Sequence, residues 1–225
     1  MIKIDTVYQT VLALANKEQR GYITPQEFNL FAEHAQMSIF EQYFYDLNQF
    51  KRVPGNQTDY ADMTTILEDK ISPFIKYVTY SPATVGALPE EYYRDYYTTI
   101  GSAKVKAEKI TRQEAAAYTS PLTSPTKSRP TYYTSQSSIY FLPHAGSAMF
   151  FYIKKPAKPE WSYVVVNEKP LYNPSGNAVD FELHPSEQKN LVNRILKLAG
   201  VSIEDAGLVQ VATQEEIKNI RQEKA

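Results

Sequence analysis

Pro25 opens the longest pattern in the chain. From there to Phe50 or Lys51 the sequence reads PQEFNLFAEHAQMSIFEQYFYDLNQFK. Phe28, Leu30, Phe31, Ala35, Met37, Ile39, Phe40, Tyr43, Phe44, Leu47 and Phe50 are apolar, more than one helical stripe can hold. The pattern predicts a helix about 40 Å long, and a helix apolar on more than one side must be covered on more than one side. Whatever else the chain forms has to supply that cover.

The start of this helix explains an ambiguous stretch. NKEQRGYITPQEFNLF, residues 16–31, imitates the second half of an EF-hand, with Gly21 at the sixth loop position and Glu27 at the twelfth. Calcium also needs oxygens at positions one, three and five. Those places hold Asn16, Glu18 and Arg20, so a cation stands where a carboxylate belongs. Thr24, Pro25 and Glu27 have a sufficient reason of their own: an N-cap, a proline at N1 and a reaching carboxylate at N3. The stretch reads as a hinge that launches the helix, with no metal.

A shorter helix precedes it, capped by Asp5 with Val7, Val11, Leu12, Leu14 and Ala15 apolar. Another short one is expected near residues 61–67. LPEEYYRDYYTTI, residues 88–100, places Tyr92, Tyr93, Tyr96, Tyr97 and Ile100 at helical spacing behind Pro89. Strands are expected at 75–80, 104–110, 131–134, 138–142, 148–154 and 163–166, the later ones as an antiparallel meander. SPLTSPTKSRP, residues 120–130, is a Ser/Thr/Pro-rich loop or extended arm. His184-Pro185-Ser186-Glu187 opens a helix with Leu191, Val192, Ile195, Leu196, Leu198 and Ala199 apolar, closed by Gly200. Thr213 to Glu216 forms a capping box for a last, polar helix whose apolar residues are Ile217 and Ile220. The fold class expected is α+β: a helical bundle with a central antiparallel β insertion. Its parts are residues 1–100 (helical), 101–170 (mostly β) and 171–225 (C-terminal helices and tail), in one continuous domain.

Composition narrows the function. A net charge of −1 and no cysteine leave no dominant basic face, no disulfide framework and no thiolate chemistry. MIKIDTVYQT lacks a signal-peptide layout, and no apolar run approaches the length of a membrane span. A cytoplasmic site of synthesis is expected. His34, His144 and His184 have no ligand spacing, no glycine-rich phosphate loop or G-x-S-x-G occurs, and the acidic pairs Glu90-Glu91 and Glu215-Glu216 sit in solvated positions. No enzyme, metal or cofactor is expected. Against this plain background stand 18 tyrosines. Tyrosine is enriched at interfaces, so these residues belong either to an ordinary core or to contacts with other chains. A binding reading uses Trp161, Tyr163, Tyr132, Tyr133 and Tyr140 as stacking surfaces of a non-catalytic ligand- or carbohydrate-binding module.

The order of segments carries a resemblance. TVYQTVLALANKEQRGYITPQEFNLFAEHAQMSIFEQYFYDLNQF, LPEEYYRDYYTTI, FFYIKKPAKPEWSYVVV, DFELHPSEQKNLVNRILKLAGV and the polar QEEIKNIRQEKA together resemble the head-to-tail connector (adaptor, or neck ring) proteins of tailed bacteriophages, most like a ring protein of crAss-like podoviruses. The resemblance implies a structural virion protein of the head–tail neck, assembled in the host cytoplasm. It implies a twelve-subunit ring under the portal, further tail rings as partners, and double-stranded DNA passing through without sequence recognition or membrane contact. The interface residues it suggests are Tyr92, Tyr93, Tyr96, Tyr97, Leu122, Trp161, Ile217 and Ile220.

Overall fold

A computed structural model describes residues 1–17, 23–52, 63–118, 120, 122–202 and 214. The elements are α1 (Ile4–Lys17), α2 (Pro25–Arg52), α3 (Met63–Ile71), β1 (Ile75–Tyr80), β2 (Ala83–Ala87), β3 (Tyr92–Ile100), β4 (Val105–Lys109), α4 (Arg112–Ala117), β5 (Thr131–Ser135), β6 (Ser138–Ala145), β7 (Ala148–Lys154), β8 (Tyr163–Val166), β9 (Lys169–Tyr172) and α5 (Gln188–Ser202). They form two compact units, Met1–Pro73 with Pro156–Ala225, and Phe74–Lys155.

The expected helical bundle with a β insertion is not the fold. The chain is mostly β by element, with nine strands against five α-helices among the described residues. Seven of those strands make one nearly closed, barrel-like sheet in the order β1-β7-β3-β4-β5-β6-β2. The largest correction is residues 88–100, expected as a helix: Tyr92–Ile100 form β3, an interior strand between β7 and β4. Two β-bulges, between Tyr92 and Arg94 and between Asp95 and Tyr97, each insert an unpaired residue. Each insertion shifts the two-residue alternation by one, so the tyrosines fall at spacings that imitate a helix. Pro89 begins a turn instead, its carbonyl accepting from Tyr92 N–H at 3.0 Å. The meander holds only for β5 and β6, which pair antiparallel; β7 crosses back to lie between β1 and β3, and β8 pairs with β9 in a separate sheet.

Inside this sheet Ala83, Ile100, Ala107, Tyr132, Ile139, Phe141, Ala148, Phe150 and Tyr152 form a buried cluster. The sheet closes through a side chain. The edges β1 and β2 share no ladder, but the Tyr80 hydroxyl on β1 donates to the Ala87 carbonyl on β2 at 2.6 Å. The Tyr80 ring lies where a side chain at Gly86 would stand, so that a Cβ there would fall 2.2 Å from it. Burial of the ring pushes the Tyr80 hydroxyl above its ordinary value.

In the other unit α2 is the central element. Phe28, Ala32, Ala35, Ile39 and Tyr43 are buried along one stripe, and Phe40 and Phe44 extend it. α5 turns Leu191, Val192, Ile195, Leu196 and Ala199 inward against α1 and α2. It runs through Gly200 to Ser202, so Gly200 does not close it. A buried ion pair joins Lys70 on α3 to Glu187, in the 3-10 turn before α5, at 2.7 Å, and Asn190 on α5 donates to the same carboxylate. Arg194 reaches Ser38 and Gln42 on α2.

The start of α2 has the cap that the sequence predicts. The Glu27 carboxylate accepts from Thr24 N–H at 2.9 Å and from its hydroxyl at 2.7 Å, and Glu27 N–H donates back at 3.3 Å. Gly21, Arg20 and Glu18 lie outside the described residues. His184 caps the 3-10 turn that precedes α5, its Nδ1 accepting from Ser186 N–H. Asp5 is not a cap. It sits in the first turn of α1, and its carboxylate accepts from the Trp161 indole.

Two predictions follow from these contacts. Gly86→Ala displaces Tyr80 and costs roughly 1–3 kcal/mol, as overpacking does, seen as a lower midpoint in urea. Thr24→Ala costs about 1 kcal/mol at pH 7. Hydrogen bonds from Thr24 hold the Glu27 carboxyl below its ordinary value of 4.5. Because the folded value is the lower one, this contribution is complete above pH 4.5 and is lost as pH falls further. The gap between wild type and variant therefore narrows in acid denaturation.

Candidate interaction surface

Trp161 was expected to close a core or an interface, or to lie on a stacking face, and the core is where it is. It is 1 % exposed. Asn29 on α2 clamps its main chain, accepting from Trp161 N–H at 2.8 Å and donating to its carbonyl at 3.3 Å. The indole Nε1–H donates to Asp5 at 3.0 Å. The ring lies 4.0 Å from Tyr8 and stacks on Tyr163 and Tyr172. Trp161 is thus the peg that fixes the β8–β9 ribbon to α1 and α2.

The tyrosines of β3 divide between two faces. Tyr92 turns toward the interior, against Phe150 and Tyr152, and its hydroxyl donates to Asp95 at 2.6 Å. Asp95 is also ion-paired with Lys109. Burial and the hydrogen bond to this carboxylate push the Tyr92 hydroxyl far above its ordinary value. Burial, then the same negative charge, raises Tyr132 to about 12. Both phenols therefore stay protonated near neutrality and serve as donors or packing groups, not as bases. Tyr93 is half-buried.

Tyr97 and Tyr96 face outward. Register places Tyr77 on β1, Phe151 on β7 and Tyr97 on β3 in one row across three strands. Tyr97 stacks on Phe151 at 4.2 Å and 14°, Tyr77 lies 5.6 Å from Phe151, and Tyr96 lies 5.3 Å from Tyr97. Tyr77 is 61 % exposed and Tyr96 45 %. A second row runs Val85, Tyr140, Tyr133, with the two tyrosine rings parallel at 4.7 Å. Cross-strand aromatic pairs stabilise a sheet, but they do not require so much open ring surface.

Leu122 is 97 % exposed at the tip of the loop expected as an arm. It rims a cleft of about 310 Å³ with Glu108, Tyr118, Thr126 and Arg129. The β8–β9 ribbon adds a third patch, with Val164, Val165, Val166 and Leu171 all about half exposed or more. Ile217 and Ile220 lie outside the described residues.

Tyr77, Phe151 and the ribbon valines are the surface residues that sequence reasoning missed. The signal for the ribbon was present: YVVVNEKPLY holds two β-rich runs around a two-residue turn, with Asn167 and Glu168 both at positive φ. For Tyr77 and Phe151 no sequence signal could pair two residues so far apart without the strand order. The carbohydrate reading loses two of its five residues, since Trp161 and Tyr132 are buried. Among the described residues no cluster of three or more His, Cys, Asp or Glu could hold a metal, and no helix is long and apolar enough to cross a membrane. No family model matches the sequence, and no curated protein matches it.

The two kinds of aromatic residue should respond differently to truncation. Trp161→Ala is expected to cost about 3–5 kcal/mol. Tyr77→Ser should stay within about 0.5 kcal/mol of wild type, as surface changes do. Equilibrium unfolding in urea measures both.

Proposed function

We propose that this protein is a structural interaction protein: a subunit of a head-to-tail connector ring of a tailed bacteriophage, held between portal and tail. The observation that carries the reading is the amount of outward apolar and aromatic surface on regular, well-packed elements. One unit carries the Tyr77–Phe151–Tyr97–Tyr96 row and Leu122, and the other carries the β8–β9 valines. Monomers rarely leave such patches uncovered. A ring subunit must cover two different faces, one against each neighbour, because a head-to-tail contact uses unlike surfaces. It must also cover a face toward whatever lies above and below.

The order of segments that resembles connector proteins supports the same reading and supplies its details: twelve subunits, a portal partner, further tail rings, and DNA passing without being read. In this reading the rigid sheet and the α2 strut hold the contact surfaces in place, and assembly supplies the binding energy.

Light scattering of the purified chain, alone and mixed with its portal protein, tests this. The expected result is a multi-subunit assembly, either alone or on the portal. A chain that stays monomeric and leaves the portal's mass unchanged contradicts it.

A further inference from the structure

The turns at one end of the barrel-like sheet enclose a further cavity, of about 400 Å³. β3 passes into β4 here through the turn Gly101–Lys104, and β6 passes into β7 through Gly146 and Ser147. The two turns are tied together. Gly101 N–H donates to the Ser147 carbonyl at 2.8 Å, and Ile100 pairs with Ala148. From the end of β1 the Ser81 hydroxyl donates to the Gly146 carbonyl at 3.0 Å. The chain entering β5 supplies a third wall. Arg129 N–H donates to the Thr126 carbonyl at 3.0 Å, which puts Lys127 at the tip of a tight turn, and Pro130 follows.

The lining has two kinds of surface. Ile100, Val105, Pro130 and Pro143 are apolar. Ile100 also belongs to the buried cluster inside the sheet, so the cavity floor adjoins that core. Lys127, His144, Ser102 and Ser147 are polar, and each can donate a hydrogen bond. Among the described residues no Asp or Glu lines the cavity. Lys127 and His144 are exposed, and among the described residues neither side chain has a hydrogen-bond or ion-pair partner. Elsewhere on the same sheet Lys76 and Lys109 each face a carboxylate, Glu91 and Asp95. Apolar walls with a few convergent polar groups, at the mouth of a barrel, are how sites for small molecules are built.

We propose that this mouth binds a small amphiphilic monocarboxylate. Its carboxylate bonds to Lys127 and His144, and its apolar body lies against Ile100, Val105, Pro130 and Pro143. The charge decides between anions. Lys127 supplies one full positive charge, which one carboxylate balances. A phosphate dianion would bring a second charge into a half-apolar site with no cation to meet it. The site lies within one unit of one chain, so it does not rest on the ring reading.

Saturation-transfer NMR observed on the ligand tests this, since it serves a monomer and a large assembly alike. The probe is hexanoate, expected to bind with a Kd on the order of 1 mM. Hexan-1-ol, which has the chain without the charge, should bind at least about tenfold more weakly. Inorganic phosphate at equal concentration should not displace hexanoate. Lys127→Met should weaken hexanoate by about tenfold, the loss of one charge-assisted hydrogen bond. Lys169→Met, on the exposed β8–β9 ribbon, should leave its binding unchanged. Both variants change exposed side chains, so their urea midpoints should match wild type and report an intact fold. Absence of saturation transfer to hexanoate overturns the proposal. So does equal binding of hexan-1-ol, displacement by phosphate, full binding by Lys127→Met, or an equal loss in the two lysine variants.

Discussion

Two amide side chains on α2 hold half of this protein in place. Asn29 and Gln36 each donate and accept, so each replaces a rung of main-chain pairing. Asn29 clamps both main-chain groups of Trp161. Gln36, itself 2 % exposed, donates to the Ala157 carbonyl at 2.7 Å and accepts from Glu182 N–H at 3.2 Å. The Glu182 carboxylate accepts in turn from Ala157 N–H at 3.0 Å. The extended segments on either side of the β8–β9 ribbon are thereby fixed to one helix. Glu160 and Val179 pair across them, and Ile2 pairs with Phe181. Removing the Asn29 amide would leave both main-chain groups of the buried Trp161 without this partner, each costing about 1–3 kcal/mol. The long helix needs cover on a second side, and these pinned segments provide it.

The β unit meets a different constraint with a different device. A seven-stranded sheet that nearly closes has two edges close together, and unpaired edges invite other chains. One tyrosine, Tyr80, spans the seam and fits against a glycine, leaving the interior to Phe141, Phe150 and their neighbours. The one carboxylate of β3 is neutralised within its own surroundings by Tyr92 and Lys109. The outer face of the same sheet is aromatic, with Tyr77, Phe151, Tyr97 and Tyr96 in one row.

How much of this was legible in the sequence depended on the range of the forces involved. α2 and its cap were legible because Thr24, Pro25 and Glu27 act within one turn. β1, β7 and β8 were legible because their alternation or apolar runs are unbroken; their bounds match those read from the residues. β3 was misread because two bulges broke its alternation, and the fold class failed with it: a strand that joins β7 to β4 makes a barrel-like sheet out of what looked like an insertion. Gly200 was misread because packing of α5 outweighs a glycine's preference to end a helix. Of the surface, Tyr96, Tyr97 and Leu122 could be named from sequence, whereas the burial of Trp161 depends on Asn29 and Asp5, residues 132 and 156 positions away.

Regular elements fixed internally carry exposed apolar and aromatic residues on their outer faces, and the function proposed above has other chains cover them. Hydrogen exchange on the main chain, compared between the isolated chain and the proposed assembly with portal, tests that claim most directly. The account predicts slower exchange on assembly in β8, where Val164, Val165 and Val166 are exposed, and in the loop around Leu122, with the α2 core unchanged. Equal exchange in both states at these places would contradict it.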